Sequence, residues 1–391
     1  MEIQLWWLLV LPIFFGMGWL AARIDIKHLL KESRALPLSY FKGLNFLLNE
    51  QPDKAIEAFI EVVKVEPQTI DLHFALGSLF RRQGEVERAI RMHQNLLDRP
   101  DLAAERRAAV TYELAQDFHR AGLLDRAEEL FGRLETTPFE HQALTHLLQI
   151  YEQEKDWLKA IRTTRRMEAL VKQPYFKEIA NYYCELAASE VLASRFDAAR
   201  DYLEQALSEY KLCVRATMLL GDIAVAQNDY SGAIEVWKRI ESQNPAYLAL
   251  VAERLAAAHG KLGQMEQGLR LLHGYQTDYP SVDLLNTLFQ LTLDIEGAEA
   301  ATQLIKDELK RNPTLLGLDK LLEAQLMSAP PERRHDLELV KGLVHQHTRR
   351  LGMYKCERCG FRARQYYWRC PGCGNWETYP PKRTETTEAY A

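Results

Sequence analysis

GLNFLLNEQPDKAIEAF (Gly43 to Phe59) and GSLFRRQGEVERAIRMH (Gly77 to His93) carry the same pattern. Gly43 aligns with Gly77 and Ala55 with Ala89, each pair thirty-four residues apart. Within each copy the two small residues are twelve positions apart, one in a first helix and one in a second, where they let the two helices approach closely. The period therefore describes a helical hairpin repeated along the chain. The same spacing recurs at Ala115 with Ala127, Ala187 with Ala199, Gly221 with Ala233 and Ala256 with Gly268. Prolines stand where second helices should stop, at Pro67, Pro100, Pro138, Pro174, Pro245, Pro280 and Pro313, since a proline supplies no amide to continue the ladder. Two units depart from the pattern, with Leu148 paired to Ala160 and Phe289 to Ala301. Spacings of thirty-eight and thirty-nine residues before the third and fifth units predict longer helices or loops there.

Working outward, about eight hairpins are expected from Leu36 to Asn312, followed by a weaker helical segment to His347 that caps the stack. This part resembles the tetratricopeptide-repeat family over more than two thirds of the chain; a repeat of the HEAT type is the alternative, and either gives an all-α solenoid. Such a stack usually grips a peptide or protein on a concave face lined by first helices. On that face the expected partner-binding residues are Tyr40, Phe74, Arg81, Arg82, Tyr112, Gln116, His119 and Arg120. Each of them also fits ordinary packing or solvation.

The chain has 391 residues with 47% hydrophobic and 26% charged content and a formal charge of −5, so net charge signals neither nucleic acid nor a membrane surface. The N-terminus is different. LWWLLVLPIFFGMGWLAA, Leu5 to Ala22, contains no charge; at about 1.5 Å per residue it reaches ~27 Å, the hydrocarbon thickness of a bilayer. Only Glu2 precedes it, whereas Arg23, Lys27, Lys31 and Arg34 follow. A cleaved signal peptide carries its basic residues first, so residues 1–22 read as a transmembrane anchor and 23–35 as a basic juxtamembrane linker. The positive flank stays on the cytoplasmic side, which puts the N-terminus in the periplasm and the bulk of the chain in the cytoplasm.

No Walker loop, nucleophile elbow or H-E-x-x-H helix occurs, and no enzymatic activity is expected. Cys184 and Cys213 fall inside helical hairpins and read as small buried residues. His345 and His347, two residues apart on a helix, face different directions. The remaining four cysteines form Cys356-x2-Cys359 and Cys370-x2-Cys373, two knuckles separated by ten residues and followed directly by Gly360 and Gly374. Four thiolates suit one tetrahedral metal ion, zinc or iron, in a ribbon over 348–380. Too few residues are present for an independent core, so the metal should supply folding energy, with Tyr354, Phe361, Tyr366, Tyr367, Trp368 and Trp376 packing around it. The ribbon is rich in arginine and lysine interleaved with aromatics, which also reads as a nucleic-acid surface, a dock for an acidic partner or a contact with the anionic inner leaflet of the membrane. From Pro381 the tail, 381–391, reads as disordered.

The whole combination resembles the lipopolysaccharide assembly protein B family of Gram-negative bacteria. The residues that carry the resemblance are Gly43-x-Asn45-Phe46-Leu47-Leu48 with Asp53-Lys54-Ala55, Leu79-Phe80-Arg81 with Gly84-Glu85-Val86-x-Arg88-Ala89-Ile90-Arg91, Ala121-Gly122-Leu123-x-Asp125-Arg126-Ala127-Glu128, Tyr182 with Cys184-Glu185-Leu186-Ala187, and the ribbon. The resemblance implies an inner-membrane adaptor that promotes degradation of the deacetylase LpxC by the membrane AAA+ protease FtsH. It further implies contact with the lipopolysaccharide assembly machinery and a rubredoxin-like ribbon that binds iron or zinc. A nucleic-acid-binding module built on the ribbon and a repeat-type co-chaperone are the competing classes.

Overall fold

A computed structural model describes residues 15, 17, 19, 38–49, 51–65, 70–100, 102–327, 329–348 and 353–383. Of the expected anchor only Phe15, Met17 and Trp19 are described, each helical; the rest of it, the linker 23–35 and residues 384–391 lie outside the described residues. Among the described residues no helix is long and apolar enough to cross a membrane.

The chain forms two compact units, residues 1–150 and 151–391. The first contains α1 (Leu38–Leu48), α2 (Pro52–Val65), α3 (Ile70–Arg82), α4 (Val86–Leu97), α5 (Ala104–Arg120) and α6 (Leu124–Gly132), and α7 (Glu140–Glu154) begins in it. The second continues with α8 (Trp157–Val171), α9 (Phe176–Leu192), α10 (Phe196–Glu209), α11 (Val214–Ala226), α12 (Tyr230–Lys238), a single turn α13 (Ile240–Gln243), α14 (Leu248–Lys261), α15 (Met265–Asp278), α16 (Val282–Glu296), α17 (Ala298–Arg311), α18 (Leu315–Met327) and α19 (Pro331–Thr348). Helices thus alternate first and second as the repeat predicts, and the segment expected to cap the stack is itself the helix pair α18 and α19. The long spacings have their cause in α5 and α9, each 17 residues long where α3 and α11 have 13.

The small residues do what the period implies. Ala55, Ala89, Ala115, Ala127, Ala187, Ala199 and Ala233 are all fully buried. Each first-helix position is matched by a side chain sixteen residues on. Where the first helix has glycine, at 43, 77 and 221, the space is filled by the rings of Phe59, His93 and Trp237. Where it has Phe289, the later position is Ile305, in the same cluster. Volume is conserved across the pair, as close packing demands. In the loop between first and second helix a residue takes a left-handed conformation: Gly84, Gly122 and Gly263, and equally Lys155, Ser194 and Asn228. Two second helices start on an aspartate cap, with Asp156 accepting from the Lys159 amide at 3.1 Å and Asp229 from the Gly232 amide at 2.8 Å.

After α19 the chain makes one small antiparallel ladder, β1 (Tyr354–Lys355) with β2 (Arg362–Ala363), in the register Tyr354 to Ala363 and Lys355 to Arg362. A second bridge joins Arg369 to Trp376. These two ladders close the loops that carry the cysteines.

Candidate metal centre

Each knuckle is built the same way. The Cys356 amide donates to Phe361 O at 2.9 Å and the Gly360 amide to Cys356 O at 2.9 Å; in the second knuckle Cys370 N donates to Asn375 O and Gly374 N to Cys370 O, both at 2.8 Å. Gly360 and Gly374 stand at φ of 75° and 71°, a region that side chains rarely enter. The turns bring all four Sγ atoms within 4.8 Å of one another, with Cys356 and Cys373 at 3.9 Å and Cys359 and Cys370 at 3.6 Å. The set is positioned to hold one metal ion.

Electrostatics points the same way. Burial opposes ionisation of Cys356, yet the Thr378 hydroxyl 3.3 Å from its sulfur, with the amides of Cys359 and Arg358, outweighs it and brings the thiol down to about 6. The Phe361 amide pulls Cys359 down, but burial and the sulfurs of Cys370, Cys356 and Cys373 push it up to about 12. Four sulfurs this close cannot all be anionic by themselves. A cation among them removes that repulsion, which is why the donor set fits zinc or iron.

Around the sulfurs the packing differs from expectation. Tyr354, Tyr379, Tyr366 and Tyr367 surround the cysteines, and Tyr379, which is outside the expected set, is 1% exposed. Phe361 is 42% exposed. Trp368 and Trp376 do not pack around the ion site: they face the helices of the second unit. Trp368 stacks on Tyr247 with centroids 5.5 Å apart and planes at 5°. Trp376 sets its edge against Tyr182 at 5.9 Å and Trp157 at 6.3 Å. The Arg215 guanidinium lies over both tryptophans, 5.9 Å and 5.5 Å away, and pairs with Glu185 at 2.6 Å.

Polar contacts fix the register of this dock. Arg369 donates to Glu152 at 2.6 Å, Glu152 also accepts from Tyr182 at 2.7 Å, and Asn181 donates to Glu377 at 2.9 Å. Asp283 accepts from both Tyr354 and Arg383 at 2.7 Å. Burial holds the Glu377 carboxyl above its ordinary range, and the Asn181 amide, Lys177 and Arg215 pull against that shift. Burying one indole removes on the order of 200 Å² from water, ~3–5 kcal/mol, whereas a half-exposed ion pair gives about 1 kcal/mol or less. The tryptophans therefore supply the adhesion and the ion pairs the alignment. Glu152, Asn181, Arg215 and Asp283 lie on α7, α9, α11 and α16, all first helices; no local motif marks them. The expected start of the disordered tail at Pro381 is too early, because Pro381 is buried and Arg383 is held by Asp283.

The expected partner-binding residues lie in the first unit. Arg81 is committed to Glu113 at 2.5 Å and Asp117 at 2.7 Å, and Asp117 also meets the buried His93 at 2.5 Å. Phe74 packs on His93 with centroids 5.7 Å apart. Tyr112 stacks on Phe139 at 5.2 Å, and the His119 ring meets His146 at 5.5 Å; burial lowers the pKa of both histidines. Gln116 is half-buried, Arg82 and Arg120 are exposed, and the Tyr40 side chain lies outside the described residues. Cys184 and Cys213 are fully buried with sulfurs 3.9 Å apart, and burial raises the Cys184 thiol.

Residues 354–381 match the rubredoxin metal binding domain, and residues 42–101 and 184–247 match the tetratricopeptide repeat. The chain is 34% identical over 378 residues to lipopolysaccharide assembly protein B of Escherichia coli strain K12, covering 96% of this chain and 97% of that one. It is 32% identical over 386 residues to the protein of the same name from Haemophilus influenzae, covering 95% and 97%. Among solved structures, a tetratricopeptide repeat protein from Parabacteroides merdae is similar at 14% identity and a TM-score of 0.33, over 78% of this chain and 100% of that one.

Proposed function

The chain belongs to the lipopolysaccharide assembly protein B family, and on that premise we propose that it is an inner-membrane adaptor that brings the deacetylase LpxC to the protease FtsH and so limits lipopolysaccharide supply. The observation that carries this reading is that the likeness covers 96% of the chain, through both the repeat stack and the metal ribbon. A helical-repeat stack offers a face for protein partners, and delivery requires no catalysis of this chain. Residues 1–22 act as the single-pass anchor, with the N-terminus periplasmic and the rest of the chain cytoplasmic. Sharing one membrane with the protease raises the effective concentration of the two, so modest contacts suffice. Arg82 and Arg120, exposed on the first unit, are the proposed contacts for a protein partner, while Arg81 is committed to its own stack. Lipopolysaccharide assembly proteins are further partners on this reading. A nucleic-acid role for the basic ribbon has less support, because Trp368, Trp376 and Arg369 are spent against the helices.

The test is the half-life of LpxC in cells depleted of this protein. A longer half-life with excess lipopolysaccharide is expected. An unchanged half-life overturns the adaptor reading and favours a nucleic-acid or scaffold role.

A further inference from the structure

Two of the side-chain contacts between the ribbon and the helices of the second unit come from residues next to groups that support the sulfurs. Arg369 immediately precedes Cys370. Its Nε donates to Gly374 O at 3.0 Å, closing the second knuckle from outside, while its other nitrogen donates to Glu152 at 2.6 Å. Glu377 immediately precedes Thr378, whose hydroxyl lies 3.3 Å from Cys356 Sγ. The Glu377 carboxylate accepts from Asn181 at 2.9 Å and its amide donates to Trp368 O at 2.8 Å. Glu377 also has a φ of 50°, a left-handed conformation that a glutamate keeps only where its surroundings hold it.

We propose that Glu152 and Asn181 are positioning residues of the metal centre, acting through Arg369 and Glu377, so that metal retention and closure of the first-helix face of the second unit form one linked equilibrium. The chain supplies the four sulfurs locally and their outer support from helices up to 217 residues away in sequence. Outer support of this kind typically changes metal affinity about 10–100-fold when it is removed. Linkage is reciprocal: if docking strengthens metal binding, metal binding must strengthen docking by the same factor. Loss of the metal then uncovers Tyr182, Arg215 and Tyr247, which the ribbon covers.

Two measurements on the full chain test this. In the first, the zinc-loaded protein is mixed with the chromogenic chelator 4-(2-pyridylazo)resorcinol and zinc transfer is timed. Glu152→Gln and Asn181→Ala should release zinc about 10-fold faster than the parent, and Glu154→Gln, an exposed position on the same helix, should release it at the parent rate. Two folded variants that release zinc at the parent rate overturn the proposal. The second measurement uses no variant. Hydrogen exchange is compared between zinc-loaded and zinc-stripped, reduced protein, and faster exchange is expected in α9, at the start of α11 and in the turn at Pro245–Tyr247. Unchanged protection there while the ribbon itself exchanges freely also overturns it, since reciprocity would fail.

Discussion

A methyl group placed on Gly221 would overlap the indole of Trp237. That ring is 1% exposed and its Nε1 donates to Met218 O at 3.1 Å, so it has neither room nor freedom to yield. Two effects compete when alanine replaces this glycine. Helix propensity gains about 1 kcal/mol, while forcing atoms into a packed core costs ~1–3 kcal/mol and the lost indole hydrogen bond adds about 1 kcal/mol. The clash wins. Gly221→Ala should lower the stability of the second unit by ~1–3 kcal/mol in urea denaturation, and a variant as stable as the parent would show that the glycine is not required by Trp237. A methyl group on Gly77 would overlap the ring of His93 in the same way. These positions are legible in sequence as small residues, but the ring that fills each one emerges only when the two helices are placed together.

Among the described residues the ribbon contains one two-residue ladder and one bridge, each flanking a knuckle, too little hydrogen bonding to stand without the ion. Replacing one thiolate leaves three donors and a coordination position that water must fill. Cys373→Ser should therefore bring metal content well below one ion per chain in elemental analysis and leave helical circular dichroism nearly unchanged, because the helices carry their own buried clusters. Tryptophan fluorescence should shift at the same time, since Trp368 and Trp376 sit between ribbon and helices. A metal-depleted variant with an unchanged tryptophan spectrum would mean that the ribbon docks without its ion. At this scale the cysteine spacing announces the site, whereas the two tryptophans pack on the helices and not around the sulfurs as expected. Aromatics in a short tail have two ways to leave water, around the sulfurs or against a neighbour, and spacing alone does not choose.

For the molecule as a whole, the proposed division of labour assigns proximity to residues 1–22, partner contact to the stack and a working arrangement of the C-terminal end to the ribbon. Removing residues 1–22 should leave a folded, metal-loaded protein that still binds its partner and yet fails to shorten the half-life of LpxC, because the tethering gain in effective concentration is gone. Delivery at the parent rate by the truncated protein would show that the anchor is dispensable and that affinity by itself suffices.

What the sequence determined by itself is whatever is written at short range. The thirty-four-residue period, the paired small residues and the prolines specify helical hairpins, because each unit packs on its immediate neighbour and the pattern must repeat. Two C-x-x-C knuckles specify a metal site for the same reason, since all four donors lie within eighteen residues. The tertiary structure decided which surface the ribbon covers. Glu152, Asn181, Arg215 and Asp283 are ordinary polar residues of first helices, and they become one surface only after the second unit has folded. Contacts between residues so far apart in the chain depend on shape and charge matching in space, and no local periodicity records them.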